Sequence, residues 1–265
     1  MLCYHGVSDT WPSVLGVSAG RLRSQLDQLR RAGYHGATFE QAIRDDATEK
    51  LVAVTFDDAF RSVFDRALPV LEELGWPGTV FVPTDFVGQT EPMSWPGIEE
   101  WVGTRYENEL VPMTWAQLRE AGDCGWEIGS HSRSHPDLTE LDDGVLEDEL
   151  RRSRECLQDE LGHPCKSLAY PYGAYDARIR ESARAAGYRA AAGLHPGDRD
   201  RWHWPRVGIY PIDGPVRFRL KVSGPVGRFR NTRVGRLIER ARSAPPGSSR
   251  SFPKRSSRRA ARTSR

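Results

Sequence analysis

Residues 51–58 constrain the chain more than any other stretch. They form an almost unbroken run of apolar, largely β-branched residues that ends directly in Asp57 and Asp58. Such a run predicts a strand buried on both faces, as in a parallel sheet covered by helices. Two adjacent carboxylates at the end of a buried strand repel each other, so a metal ion, a proton or an arginine must compensate them. The alternative is that one of them only caps the next helix.

The pattern around this strand predicts repeated strand–helix units. A helix over 61–74 follows it and ends at Gly75, and the next strand covers 79–82. Repeated βα units favour a parallel sheet or barrel whose site lies at the carboxyl ends of the strands. We therefore expect an α/β fold, an irregular (β/α) barrel of about seven parallel strands that resembles a TIM barrel. The other expected elements are strands at 2–5, 126–129, 167–170, 188–192 and 206–210, helices at 18–33, 114–122, 142–161 and 176–187, and a short helix that begins with a capping box at Thr38 and Gln41.

Charge divides the 265 residues into two parts. Residues 217–265 hold 16 Lys and Arg and one acid, a net charge of +15, whereas residues 1–216 carry −13. We expect a catalytic domain over 1–216, a basic and partly helical extension over 217–242, and a disordered Arg/Ser-rich tail over 243–265. No nucleic-acid-binding fold is visible, so weak electrostatic contact of the tail with an anionic membrane surface is our hypothesis. A tail that only aids solubility is the alternative.

Composition also bears on the cellular compartment. No run approaches the roughly 18 apolar residues of a membrane span, and no signal peptide precedes the first strand, which predicts a cytoplasmic protein. That strand begins almost at Met1, which leaves open an upstream start with an export signal. The four cysteines show no metal-binding or disulfide spacing, so we expect free thiols.

Two histidines indicate a metal site. His131 and His135 are four residues apart, a spacing that on one helical turn places both imidazoles on one side. With a carboxylate from Asp57 or Asp58 they make a His-His-Asp set, the composition of a catalytic zinc site with an open position for water. The other carboxylate is then free to act as a base. Zn²⁺ suits these ligands, and Co²⁺ or Ni²⁺ suits them too.

Residues 84–113 have no clear period and are expected to pass over the site face. Their aromatic residues, Phe86, Trp95 and Trp101, either stack on sugar rings or pack the loop against the domain.

Three short motifs, taken in order, resemble those of a known enzyme family. They are residues 55–58 (Thr-Phe-Asp-Asp), 131–135 (His-Ser-Arg-Ser-His) and 170–173 (Tyr-Pro-Tyr-Gly), which look like the first three motifs of the polysaccharide deacetylases, carbohydrate esterase family 4. Residues 2–5 and 204–206 resemble flanking motifs of the branch that deacetylates poly-N-acetylglucosamine. The resemblance covers residues 2–210 and implies an irregular (β/α) barrel with metal-dependent hydrolysis of N-acetyl groups.

The resemblance also implies roles for individual residues. Asp58, His131 and His135 would hold the metal, and Asp57 would be the general base. His5, from the opening motif, would be the general acid that protonates the departing amine.

The third motif and the late Trp-Pro-Arg motif imply further contacts. The backbone N–H of Tyr172 would stabilise the oxyanion, and Pro171, Tyr172 and Trp204 would contact the substrate. Arg206 would orient the catalytic aspartate, because Ala169 stands where many relatives have an arginine; a surface position for Arg206 is the alternative.

Two other late residues are weaker candidates. His195 occurs too early for the family's late Leu-His motif, so we interpret it as an ordinary loop residue. Asp200 is a candidate for orienting His5.

Three functions remain open at this level. The leading hypothesis is a metal-dependent deacetylase of a polysaccharide containing N-acetylglucosamine. The second keeps the chemistry but acts on a small, nucleotide-linked or lipid-linked acetamidosugar, as a chain without an export signal would favour. The third is a member of the same fold that only binds carbohydrate.

Deletion of residues 243–265 tests the membrane hypothesis. We expect the truncated protein to lose co-sedimentation with anionic vesicles at low salt, because polybasic segments contribute about 1 kcal/mol per Lys or Arg at such a surface. Unchanged co-sedimentation would rule the hypothesis out.

Overall fold

The computed structural model describes residues 1–44, 50–194 and 199–223. Within these ranges the strands are β1 (Leu2–Tyr4), β2 (Gly6–Val7), β3 (Gly16–Val17), β4 (His35–Ala37), β5 (Leu51–Phe56), β6 (Thr79–Val82), β7 (Glu127–Ser130), β8 (Ser167–Ala169), β9 (Ala190–Gly193), β10 (Trp204–Pro205) and β11 (Val207–Gly208). The helices are α1 (Ala19–Arg31), α2 (Phe39–Ala42), α3 (Leu68–Glu72), α4 (Trp115–Asp123), α5 (Asp143–Leu161), α6 (Ala177–Ala185) and α7 (Pro215–Val222).

Eight parallel strands form a nearly closed barrel in the order β10-β9-β8-β7-β6-β5-β1-β11. Strands β10 and β11 are two halves of one continuous segment, 204–208, with Arg206 between them. One half pairs with β9 and the other with β1, so this segment closes the barrel. If β10 and β11 are counted as one strand, the barrel has seven parallel strands. This confirms the expected irregular (β/α) barrel.

Several elements differ from the sequence-based expectation. Strand β4 pairs with β5, and β2 pairs with β3 in a separate two-stranded sheet; these strands are too short and glycine-containing to show a period. The helix expected over 61–74 begins as a π-helical turn over Val63–Ala67 and becomes α-helical only at Leu68. Pro69 has no N–H to bond the carbonyl of the preceding turn, which explains the widened geometry.

The helices bury one apolar face each against the barrel. Leu22, Leu26 and Leu29 of α1 are buried, as are Leu146, Leu150 and Leu157 of α5. Burial of each such side chain contributes about 1.5–3 kcal/mol relative to exposure. Capping boxes are present at Thr38 and Thr114, and the side chains of Ser18, Asp142 and Asp176 cap the helices that follow them.

The excursion over residues 84–113 packs down on the barrel. Trp95 is buried, with its ring 5.2 Å from that of Phe86, and Trp101 packs edge-on against Trp11 at 6.1 Å. Of the two interpretations of these tryptophans, packing is the one that their contacts support.

The described chain ends in α7, which crosses the domain boundary expected after residue 216. Phe218 is buried in the core, and the carboxylate of the buried Asp213 binds both Arg217 and Lys221. The basic helix expected over 233–242 and the tail over 243–265 lie outside the described residues and stay predictions. None of the helices in the described ranges is long and apolar enough to cross a membrane.

Two glycine substitutions test how tightly the Trp76 side chain packs against β4. A Cβ on Gly36 would lie 2.3 Å from Cγ of Trp76, whereas one on Gly20 in α1 would meet nothing within 4 Å. We expect Gly36→Ala to lower the free energy of unfolding by about 1–3 kcal/mol through overpacking. Gly20→Ala is the matched control and should raise it by at most about 1 kcal/mol, because Ala favours a helix. Equal denaturation midpoints for the two variants would contradict this packing.

Candidate active site

The predicted site residues lie where barrel strands end. Because the strands are parallel, their carboxyl ends meet at one rim of the barrel. The side chains that follow them there are His5 after β1, Asp57 and Asp58 after β5, His131 and His135 after β7, Tyr172 after β8 and Arg206 after β10.

Asp57 forms a buried ion pair with Arg206. The guanidinium donates from Nη1 to Oδ1 at 2.6 Å and from Nη2 to Oδ2 at 2.8 Å, and Nη1 also donates to the Thr55 hydroxyl. Burial alone would raise the pKa of Asp57, but the charges of Arg206 and His131 outweigh it and lower that pKa to about 2. Asp57 is therefore ionised at neutral pH and held in one orientation.

Asp58 faces the two histidines instead. Its Oδ1 lies 3.4 Å from Nε2 of His131 and 3.3 Å from Nε2 of His135, and all three side chains are buried. The three ligand atoms lie within 4.8 Å of one another. Burial opposes ionisation of Asp58, but the two imidazoles hold its pKa well below the usual range.

The hydrogen bonds around this triad leave room for a cation. Nδ1 of His131 lies 2.8 Å from the carbonyl oxygen of Ala169, which can only accept, so Nδ1 carries a proton, and in the neutral form of the ring Nε2 presents its lone pair. Oδ1 of Asp58 is buried and has no hydrogen-bond partner among the described residues. Two imidazole nitrogens and one carboxylate oxygen thus converge on one position. A divalent metal ion fits this donor set, and Zn²⁺ matches its chemistry.

Residues 131–135 do not form the helical turn that their spacing suggested. They are a loop in which Ser132 and His135 have positive φ angles of 63° and 60°. The imidazoles converge because the loop folds back, with the Ser132 hydroxyl accepting from the backbone N–H of His135 at 3.1 Å.

Backbone strain is concentrated at this rim. The non-glycine residues with positive φ in the described chain are Asp58, Ala59, Ser132, His135 and Tyr172. Each such conformation costs of the order of 1 kcal/mol or more and persists where its surroundings impose it, as at functional sites.

Glu149 of α5 anchors the histidine loop, and sequence reasoning did not identify it. Its buried carboxylate accepts the backbone N–H groups of Arg133 and Ser134, each at 2.9 Å, and the Ser134 hydroxyl at 2.7 Å. On the sequence it was one charge among many on an amphipathic helix. Its capping of a loop 15 residues earlier becomes visible only in three dimensions.

Tyr172 lies at the tip of the turn that follows β8. Its φ of 58° places it in the left-handed region, and the next residue, Gly173, also has a positive φ. Among the described residues no acceptor bonds the Tyr172 backbone N–H. The ring packs edge-on against His135 at 4.8 Å, and the hydroxyl donates to the carbonyl of Pro96 at 3.3 Å. Pro171 is buried at the start of the same turn.

His5 lies beside Asp57 together with Cys3. A ring nitrogen of His5, Sγ of Cys3 and a carboxylate oxygen of Asp57 lie within 4.8 Å of one another. The Cys3 thiol lies 3.3 Å from Oδ2 of Asp57, to which it donates, and burial raises the pKa of this thiol well above its usual value. Sequence reasoning treated Cys3 only as a free thiol, and the structure does leave all four cysteines unpaired.

Two other predicted residues within the described ranges, Asp200 and Trp204, make different contacts. The Asp200 carboxylate accepts hydrogen bonds from Arg180 at 2.7 Å and from the backbone N–H of Trp202 at 2.7 Å, and its suggested role in orienting His5 stays a prediction. Trp204 packs half-buried against a small apolar cluster that includes Phe81, and its contact with substrate stays a prediction. His195 lies outside the described residues.

Comparison with known proteins identifies the family. A model of the family described as polysaccharide deacetylase matches residues 44–191, more than half of the chain. The chain therefore belongs to the polysaccharide deacetylase family, as its motifs implied.

Individual relatives agree with this assignment. YxkH of Bacillus subtilis (strain 168) is 24% identical over 220 residues, which cover 80% of this chain and 71% of that protein. The poly-beta-1,6-N-acetyl-D-glucosamine N-deacetylase of Staphylococcus epidermidis is 24% identical over 72% of this chain and 67% of its own. The structure of IcaB from Ammonifex degensii superposes with a TM-score of 0.66 at 26% identity, covering 84% of this chain and 96% of that one.

Glu149→Gln tests the anchoring of the histidine loop. A glutamine replaces one acceptor oxygen by an NH₂ group, which leaves either the backbone N–H groups or the Ser134 hydroxyl without an acceptor. We expect a loss of about 1–3 kcal/mol of stability, measured by thermal or urea unfolding. Glu155→Gln on the same helix is the control, since its pair with Arg151 is exposed and screened by solvent and should contribute little to stability. A Glu149 variant as stable as the control would show that the anchor is dispensable.

Proposed function

We propose that this protein is a metal-dependent deacetylase that removes N-acetyl groups from a polysaccharide containing N-acetylglucosamine, releasing acetate and leaving a free amine. The observation that carries the proposal is the division of two neighbouring carboxylates: Asp57 is paired with Arg206, whereas Asp58 faces two imidazoles with its Oδ1 unpartnered. The name of the Staphylococcus epidermidis relative, a poly-beta-1,6-N-acetyl-D-glucosamine N-deacetylase, supports the choice of substrate class.

Asp58, His131 and His135 would hold the metal ion. When bound, a divalent metal polarises the amide carbonyl and lowers the pKa of a bound water toward about 7, which an amide hydrolase needs because amides are poor electrophiles. The Ala169 carbonyl fixes the His131 tautomer, and the Glu149 carboxylate fixes the loop that carries both rings.

Asp57 accepts the proton from the attacking water. Its low pKa keeps it ionised at neutral pH, and the two hydrogen bonds from Arg206 hold its carboxylate in place. The same ion pair makes Asp57 a weak base. It can therefore accept a proton only from a water whose pKa has been lowered, as a bound metal would lower it.

Two further groups would act after the water attacks the amide. The backbone N–H of Tyr172, which has no acceptor among the described residues, would donate to the developing oxyanion. His5, beside Asp57, transfers a proton to the departing amine, because an amine leaves only after protonation.

Acetate release tests the proposal. N-acetylated β-1,6-linked and β-1,4-linked glucosamine oligomers are the substrates, with wild-type protein before chelation, after chelation and after return of zinc. We expect activity to vanish with the chelator and to return with zinc. Asp57→Ala and His5→Ala should each lower kcat about 10²–10⁴-fold, the usual contribution of a general base or acid.

One control variant and two alternative outcomes make the result specific. His163→Ala removes an exposed loop histidine and should leave the rate unchanged. Acetate release that survives Asp57→Ala would contradict the mechanism. Activity confined to a monomeric or lipid-linked acetamidosugar would keep the mechanism and replace the substrate class.

A further inference from the structure

We propose a second metal-binding position, formed by Cys3, His5 and Asp57, that takes a thiol-seeking divalent ion such as Zn²⁺ or Co²⁺. It lies beside the Asp58–His131–His135 site and is distinct from it. Cys3 lies within β1, His5 follows β1 and Asp57 follows β5, and the three side chains offer one sulfur, one nitrogen and one oxygen.

The geometry favours such an ion. The three ligand atoms lie within 4.8 Å of one another, and the Cys3 and Asp57 side chains are buried. Nδ1 of His5 is a buried atom without a hydrogen-bond partner among the described residues. Sulfur and nitrogen together with one carboxylate oxygen are ligands that zinc and cobalt accept, whereas Mg²⁺ and Ca²⁺ prefer oxygen alone.

In the absence of an ion, the thiol proton of Cys3 lies between two of the proposed ligand atoms. The Cys3 thiol donates to Oδ2 of Asp57 across 3.3 Å. When an ion enters, the S–H bond breaks, the proton leaves to the buffer, and bonds from sulfur and from Oδ2 to the ion replace the hydrogen bond. No electrons are transferred. Arg206 donates to both oxygens of Asp57, from Nη1 to Oδ1 and from Nη2 to Oδ2, so the ion would replace only the thiol proton at Oδ2 and the carboxylate need not turn.

Occupation of this position would inhibit the enzyme. This effect rests on the proposed function, in which Asp57 is the general base and His5 is the general acid. An ion bound to both side chains would prevent them from taking part in the reaction. Oδ2 of Asp57 also lies 4.0 Å from Nε2 of His131, so the two positions are immediate neighbours. Stoichiometric zinc would then activate, and excess zinc would inhibit.

Cobalt titration of the full chain, freed of metal by a chelator, tests the second position without an activity assay. We expect two equivalents of Co²⁺ to bind, the second with a near-ultraviolet sulfur-to-cobalt charge-transfer band. In Cys3→Val the band should be absent while one equivalent still binds. Cys124→Ser and Cys156→Ser remove the two more accessible thiols and should keep the band.

Further variants separate this proposal from the function itself. His5→Ala should keep the band but weaken the second equivalent by at least about tenfold, and it covers the case in which Cys3→Val does not fold. Asp58→Ala should lose the first equivalent and all activity yet keep the band. Saturation of the wild type at one equivalent without a band, or a band that survives in Cys3→Val, would overturn the second position.

In activity assays the ratio of rates at excess and at stoichiometric zinc is the measure. It should fall about tenfold or more for the wild type and stay near one for Cys3→Val, as expected when a ligand of the inhibitory ion is removed. Equal ratios in the two proteins would contradict an inhibitory role.

Discussion

The buried ion pair between Arg206 and Asp57 is the interaction on which the rest of the site depends. Both side chains are almost completely buried, and the guanidinium makes two hydrogen bonds to the carboxylate. Desolvating two charges offsets much of their attraction, so such a pair is poor evidence for stability. Removing one partner is a different matter, because it strands a buried charge at a cost of about 3–5 kcal/mol. Arg206 also lies in the segment that closes the barrel between β9 and β1, so the pair joins barrel closure to the chemistry of Asp57.

The pair also explains how two adjacent carboxylates coexist. Arg206 neutralises Asp57, and positive φ angles at Asp58 and Ala59 turn the chain so that Asp58 faces the histidines instead. Environment assigns different tasks to identical groups, as in other enzymes with paired carboxylates. Asp57 becomes a fixed proton acceptor, and Asp58 becomes an anionic ligand that needs a cation.

Much of this arrangement could be predicted from the sequence. The strand over residues 51–56 is continuous and apolar, and the cap residues Ser18, Thr38 and Thr114 act within three residues of themselves, so local pattern was sufficient. The approach of Asp58 to the two histidines followed from the rule that parallel strands share one rim. The family resemblance supplied Arg206 and Tyr172, which no periodicity could indicate.

Other features could not be predicted because they depend on distant contacts. The spacing of His131 and His135 suggested a helical turn. In the structure, the carboxylate of Glu149 on α5 and the Ser132 hydroxyl hold these residues in a strained loop. Cys3 reads as an ordinary buried residue until β1 is placed beside β5 and its sulfur meets Asp57. Asp200 was a candidate for orienting His5, and in the structure its carboxylate binds Arg180, a contact that the sequence does not indicate.

A crystal structure of the protein with one equivalent of zinc, with anomalous scattering recorded at the zinc edge, tests the central claim most directly. We predict one strong peak at about 2.0–2.2 Å from Oδ1 of Asp58 and from Nε2 of His131 and His135, with Asp57 still bound to Arg206 through both oxygens. A peak coordinated by Asp57 in place of Asp58, or a protein that binds no zinc while correctly folded, would contradict the assignment of roles to the two carboxylates.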